Sequence, residues 1–311
     1  MVWSASPMTA VLFAVIVIAW GFSWFAIHLQ IGTVPPEISI FWRFALSAVL
    51  MWLLLAVTGR LRRLDLRQHG WFALMGASLF GLNFVLIYSA TQHIASGIVS
   101  VVFTMATIFN AFNQWALLKI APKPRTLAGA AFGIVGIALL FADQIAGLGR
   151  DHGAALGIAL AAAGTYVFSL GNLASVGAVK AGADLPNAVA RGMTWGTLFL
   201  GIYGLARGHG FPIALTPTYL GSLVYLAVVA SVIGFLAYLS LVARVGADRA
   251  AYSTVLFPLI ALVVSTFLES YAWTLHALVG LALILIGNVV IFVRTPSRTA
   301  APPPMGKTRR A

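Results

Sequence analysis

Cysteine is absent from the 311 residues, which excludes a disulfide framework and thiolate chemistry. Acids are almost as scarce. The seven present are Glu37, Asp65, Asp143, Asp151, Asp184, Asp248 and Glu269, and each falls at the end of an apolar stretch or in a loop. An ionisable group deep in hydrocarbon is costly and marks a function where it occurs. Here no carboxylate stands near the middle of a stretch to carry a proton or to pair with a cationic drug. Charged residues of both signs make up only 8% of the chain, against roughly 25% in a soluble domain, too few to cover a water-facing surface. Catalytic patterns are missing as well. The six histidines (His28, His69, His93, His152, His209 and His276) are scattered, and neither an HExxH helix nor a Walker-type glycine loop occurs. No catalytic residue, metal site or cofactor is expected, and an intramembrane enzyme cannot be assembled from these residues.

What the chain has in abundance is apolar length. Hydrophobic residues make up 61% of it, arranged as ten stretches near 8–28, 38–57, 71–91, 94–118, 126–143, 154–175, 187–206, 218–240, 247–268 and 275–293. Helices of about 20 apolar residues cross a hydrocarbon core of roughly 30 Å. The loops between them are too short to form a catalytic domain. The first stretch lacks a basic n-region and a small-residue cleavage site, so it reads as a retained span. The tail 294–311, with Pro302, Pro303 and Pro304, is expected to be disordered and cytoplasmic.

The basic residues orient these spans. If the N-terminus is cytoplasmic, the loops and tail on that side hold Arg60, Arg62, Arg63 and Arg67, then Lys119, Lys123, Arg125 and Lys180. They also hold Arg244, Arg249, Arg294, Arg298, Lys307, Arg309 and Arg310, against only Arg150 and Arg207 on the other face. This positive-inside bias puts both termini in the cytoplasm. The formal charge of +12 reflects anchoring beside anionic lipid rather than nucleic-acid binding, because it is spread over several loops.

Five spans per half is an odd number, so a repeat of the unit must be inverted. Traces of one exist. Ala19-Trp20-Gly21-Phe22-Ser23-Trp24-Phe25 aligns with Ala162-Ala163-Gly164-Thr165-Tyr166-Val167-Phe168. Gly129 and Gly136 are matched by Gly280 and Gly287, and Ala95 by Ala247. The expected fold is an all-α integral membrane protein of ten transmembrane helices in two inverted five-helix repeats, 8–143 and 154–293. Such repeats place a site near the bilayer midplane that opens alternately to each side.

With Trp20-Gly21 early in the first helix, and Tyr238, Ala247, Pro258, Glu269 and Gly280/Gly287 in the second half, the chain resembles the drug/metabolite transporter superfamily. The likeness is to its ten-helix members built from two EamA-type units. The first half keeps Tyr88, Ala95 and Gly129/Gly136, while Ala106 stands where the proline would be and Lys119 near the acid's place. The likeness is greatest to exporters of aromatic amino acids. It implies a multi-pass transporter in the cell membrane, a bacterial inner membrane, exporting amino acids or related small metabolites by alternating access. Its partners would be a small-molecule substrate and the lipid bilayer, and it would act as a monomer or weak homo-oligomer.

Aromatic side chains with uncharged polar neighbours suit a bulky apolar substrate with a polar end. The candidate substrate-binding residues are Trp20, Trp24, Asn83, Tyr88, Phe103, Thr107, Asn110, Tyr166, Asn172, Tyr252 and Phe257, and Phe168 is a further aromatic in the facing spans. The absence of a midplane acid is compatible with a facilitator or uniporter. Apart from Arg249 at the very start of its stretch, Arg43 and Arg191 are the only Lys or Arg residues inside apolar stretches, each about five residues from a span end, from where a guanidinium can snorkel to the interface. They are candidate gating or steering groups, with His93 and the helix-breaking Pro258. An antiporter of phosphorylated metabolites or nucleotide sugars is the alternative. It requires paired cations in the cavity.

Overall fold

A computed structural model of the chain describes residues 7–32, 34–63, 65–140, 142, 152–245 and 253–292. Asp143, Asp151, Asp248, Arg150, Ala247, Tyr252 and the tail 294–311 lie outside the described residues. Among the described residues every regular element is a helix. In chain order they are α1 (Pro7–His28), α2 (Pro36–Val57), α3 (Leu66–Ala90), α4 (Ser96–Leu118), α5 (Pro124–Leu140), α6 (His152–Lys180) and α7 (Leu185–Ala206), then α8 (217–245), α9 (Ser253–Leu268) and α10 (Leu275–Phe292).

Six of these, α1, α2, α3, α4, α6 and α8, are long and apolar enough to cross a membrane; 124–140, 256–268 and 275–291 are shorter apolar helices. α7 has 22 residues but is diluted by Asn187, Arg191 and four glycines. Large apolar side chains are exposed, among them Val49, Leu53, Ile202, Leu205 and Phe267. Exposure on this scale fits a lipid-facing surface and not a water-facing one.

Local chemistry sets the ends of the helices. A capping box opens α3: Asp65 accepts from Arg67 N, and Gln68 accepts from Asp65 N. α2 and α7 are framed alike. Each has a proline in its first turn (Pro36, Pro186) and ends before a glycine with positive φ, Gly59 at 64° and Gly208 at 78°.

The main contacts follow a pattern. α5 packs on α10, α2 on α7 and α4 on α9; α1 packs on α8 and α9, α6 on α3 and α4, α3 on α7 and α2 on α8. Exchanging each helix with the one five places along leaves this set unchanged. The α5–α10 seam is the closest. A methyl group on Gly129 or Gly287 would lie 2.5–2.6 Å from the other's carbonyl oxygen, and the same holds for Gly136 and Gly280. The early glycine of one helix meets the late glycine of the other, so the two run antiparallel. Apolar helices in lipid gain from this closeness, since burial from water no longer drives them together.

Among the smaller contacts the exchange is incomplete. α4 also leans on α1 through its first segment, Ser96–Phe103, whereas α9 makes no comparable contact with α6 among the described residues. Three helices are also irregular. α3 contains a π segment at Ser78–Leu82, α8 one at Tyr225–Ile233, and α4 is interrupted at Thr104–Met105 although Ala106 replaces the expected proline.

Candidate functional site

A cavity of about 550 Å³ lies between the two halves, walled by α1 to α6 and α8 to α10. Its wall is a chain of touching rings. Trp24 stacks on Phe257 at 6.1 Å and meets Phe103 edge-on at 5.4 Å; Phe103 packs against Phe168 at 4.6 Å. Trp20 adds contacts to Phe235, Tyr238 and Phe257. Its Nε1 donates to the Ala230 carbonyl at 3.0 Å, inside the π segment of α8. Gly234 makes room for it, because a methyl there would fall 2.6 Å from Trp20 Nε1.

Eight of the sequence-derived candidates line this cavity: Trp20, Trp24, Asn83, Phe103, Thr107, Asn110, Asn172 and Phe257. Arg43 joins them. Tyr88 does not. It is fully buried and donates to Gln30 Oε1 at 2.9 Å. Tyr166 turns toward Phe109, with ring centroids 5.4 Å apart. Exposed His93 packs beside Gly157, Pro258 is buried next to Phe257 without lining the cavity, and Tyr252 lies outside the described residues. The wall also contains Phe84, Phe235, Tyr238 and Gln114, which the candidate set does not include. The register of aromatics on the inner face of α8 is the signal for Phe235 and Tyr238. Phe84 carries no sequence mark beyond following Asn83.

Arg43 is buried inside the protein. It is 4% exposed, because α7, α8 and α3 enclose α2 on that side. Its Cζ sits 4.5 Å from the Phe84 ring centroid and 5.1 Å from that of Phe44, favourable cation–π positions. Nε donates to Ser231 Oγ at 3.2 Å. Nη1 is buried without a partner, and among the described residues no carboxylate pairs with the group. Asn83, next to Phe84, is in a similar state: Nδ2 donates to Leu79 O at 2.9 Å, while Oδ1 has no partner. Unmet hydrogen-bonding capacity of this kind costs several kcal/mol for a buried ion and about 1–3 kcal/mol for a neutral group.

Arg191 does different work. Nη2 donates to the Arg62 carbonyl at 2.6 Å and Nη1 to Asn187 Oδ1 at 2.9 Å; Asn187 in turn donates to the Arg60 carbonyl. The guanidinium lies 4.8 Å from the Trp52 ring centroid. It ties the loop between α2 and α3 to α7, away from the cavity.

The two ends of the cavity differ. At one, it reaches the exposed α4–α5 connection, with Ile120, Ala121, Lys123 and Arg125 on its rim. At the other, Glu269 closes α9 onto α4. The carboxylate is 4% exposed, accepts from Ser96 N at 2.8 Å and from Ser265 Oγ at 2.9 Å, and is bonded by Ser96 Oγ. His28 Nδ1 is 3.8 Å away. Ser265 Oγ accepts from Gly97 N at 2.8 Å. Ser265 of α9 and Glu269, the residue just past its end, thus satisfy the first free N–H groups of α4, where the helix dipole also favours a negative charge. Among the described residues no cluster of three or more His, Asp or Glu could hold a metal.

The described residues form a helical membrane protein built around an aromatic cavity, and sequence comparison specifies its class. The EamA-like transporter family matches residues 7–142 and 155–293; the chain belongs to this family. It is 27% identical over 299 residues to the uncharacterized transporter YvbV of Bacillus subtilis (strain 168), with 94% of each chain covered. A solved structure titled only "Crystal structure of protein" superposes with a TM-score of 0.64 at 18% identity, covering 92% of this chain and 96% of the other. That likeness establishes the fold alone.

Proposed function

We propose that this transporter exports amino acids, aromatic or other hydrophobic ones in preference, by alternating access through the central cavity. The chain crosses the cell membrane ten times with both termini in the cytoplasm, as two inverted five-helix repeats. The loop charges favour that orientation. The five-place exchange of contacts, the paired glycines of α5 and α10 and the matched framing of α2 and α7 support the inversion.

One observation carries the reading: a ring-walled cavity shared by both halves, reaching solvent at the Lys123 end and closed at the Glu269 end. Inward-open geometry follows when the basic end faces the cytoplasm. The missing α6–α9 contact is then the open gate, and the α1–α4 contact its closed counterpart. An apolar side chain suits the rings, and the amides Asn110 and Asn172, joined by a 3.3 Å hydrogen bond, can hydrogen-bond a polar end. Exchange of phosphorylated metabolites lacks comparable support, since among the described residues Arg43 is the one basic residue lining the cavity away from its rim.

Uptake of labelled amino acids into proteoliposomes, with and without a pH gradient, tests the reading. Phenylalanine and tryptophan are expected to be carried in preference to threonine and lysine, and the reverse order would refute the aromatic preference. Uptake unaffected by the gradient identifies a facilitator.

A further inference from the structure

We infer that Arg43 and Asn83 form the headgroup site of the cavity, with Arg43 Nη1 binding a substrate carboxylate and Asn83 Oδ1 accepting from a donor beside it. The inference rests on the reading of the cavity as a transport site and specifies what that site selects.

Among the described residues, five buried side-chain polar atoms have no hydrogen-bond partner: His28 Nδ1, Gln30 Nε2, Arg43 Nη1, Asn83 Oδ1 and Asp184 Oδ1. Of their residues, only Arg43 and Asn83 line the cavity. Both belong to the α2–α3 part of its wall, where the guanidinium rests on the ring of Phe84, the residue after Asn83. One is a cationic donor, the other a neutral acceptor.

Neither atom has a hydrogen-bond partner in the protein, and each is covered in this conformation, so a ligand reaches them as the surrounding side chains shift. Ser231 takes Arg43 Nε, so the group is oriented but not neutralised. The Tyr88 hydroxyl gives its proton to Gln30, and its oxygen lies near enough to the guanidinium to accept from it without neutralising the charge. Asn83 follows the π segment of α3, and its amide N–H₂ is committed to Leu79 O, leaving the carbonyl oxygen unused. A planar guanidinium matches a carboxylate, and the hydrogen bond is charge-assisted. An α-ammonium or an amide N–H on the adjoining carbon would suit the oxygen of Asn83. The rings of Trp24, Phe103 and Phe257 are left for the apolar body. This chemistry selects acids over amines: a decarboxylated ligand would place an unscreened ammonium against an unpaired guanidinium.

The test is binding to the purified full-length protein in nanodiscs, with four ligands that share one ring system: tryptophan, indole-3-propionate, tryptophan amide and tryptamine. Tryptophan is expected to bind tightest, with indole-3-propionate ahead of both tryptophan amide and tryptamine. Arg43→Gln should weaken the two acids by roughly thirtyfold or more, the scale of a lost buried charge pair, and bring acid and amine within about twofold of each other. Arg43→Lys should recover part of the preference for acids. Asn83→Leu should weaken tryptophan but not indole-3-propionate. Arg191→Gln removes the same charge away from the cavity and should leave the ligand order unchanged. Equal binding of acids and amines to the wild type, or an Arg43→Gln protein that retains the preference, would overturn the inference.

Leucine and lactate separate this failure from failure of the aromatic reading. If no indole ligand binds but these do, through Arg43, the headgroup site stands and the aromatic preference falls. If neither set binds, both are refuted. Should Arg43→Gln not fold, Ser231→Ala and Arg43→Lys carry the test, since each is expected to reduce the acid-to-amine ratio; an unchanged ratio in both would overturn the inference.

Discussion

At the scale of single residues, Trp20 joins structure to site. Its ring faces the cavity while its N–H holds a carbonyl of the α8 π segment. Trp20→Phe keeps most of the ring and frees that carbonyl, which should cost about 1 kcal/mol in stability and raise the KM for uptake. Thermal unfolding and proteoliposome kinetics check the two effects separately. Trp20, Trp24, Phe103 and Phe257 were legible in the sequence, since each is an aromatic inside an apolar span. Span membership does not say which way a side chain points, however. Tyr88 and Tyr166 satisfied the same criterion, yet one is tied to Gln30 and the other packs on Phe109. Arg43 shows the opposite limit. Its distance from the span end suggested an escape to the interface, and only the packing of α7, α8 and α3 around α2 makes it a cavity residue.

At the scale of helices, the glycine seam makes a sharp prediction. A methyl on Gly280 would lie 2.5 Å from both Gly136 O and Leu140 N, backbone atoms that cannot rotate away. Gly280→Ala should therefore cost about 1–3 kcal/mol as an overpacked contact, read as a lowered unfolding temperature. Gly221→Ala, where nothing lies within 4 Å, should leave that temperature in place. The seven-residue spacing of these glycines was readable in advance; their reciprocal antiparallel contact was not. The irregularities of α3, α4 and α8 were the least readable. The π segment of α8 carries no glycine or proline and that of α3 only Gly81, and α4 is interrupted at Thr104–Met105 without proline. Such segments recur at functional positions in helices, and here they adjoin Asn83, Thr107 and the carbonyl that receives Trp20. At the closed end, Glu269→Gln removes the charge that caps α4. Hydrogen bonds to charged groups contribute about 1.5–3 kcal/mol, so the variant should unfold at lower temperature and open that end more often, seen as faster labelling of a cysteine placed at Ser100.

At the scale of the whole molecule, composition and charge placement made the helical membrane architecture legible, because a chain with 8% charged residues has few other options. The two matched halves were visible only as scattered pairs, and the contact pattern joins them into one arrangement. Under the proposed alternating access, the two helix bundles rock about the shared cavity, closing the Glu269 end while the Lys123 end is open, and the reverse. The lack of native cysteine makes this motion directly measurable. A single Thr107→Cys substitution places one thiol on the cavity wall, and a membrane-impermeant maleimide can be applied from either face of oriented vesicles. Without substrate, labelling should be fast from the face that carries Lys123 and slow from the other. Adding the substrate found in the uptake assay should raise the rate from the Glu269 face. Labelling confined to one face under every condition, in protein that still transports, would contradict alternating access through this cavity.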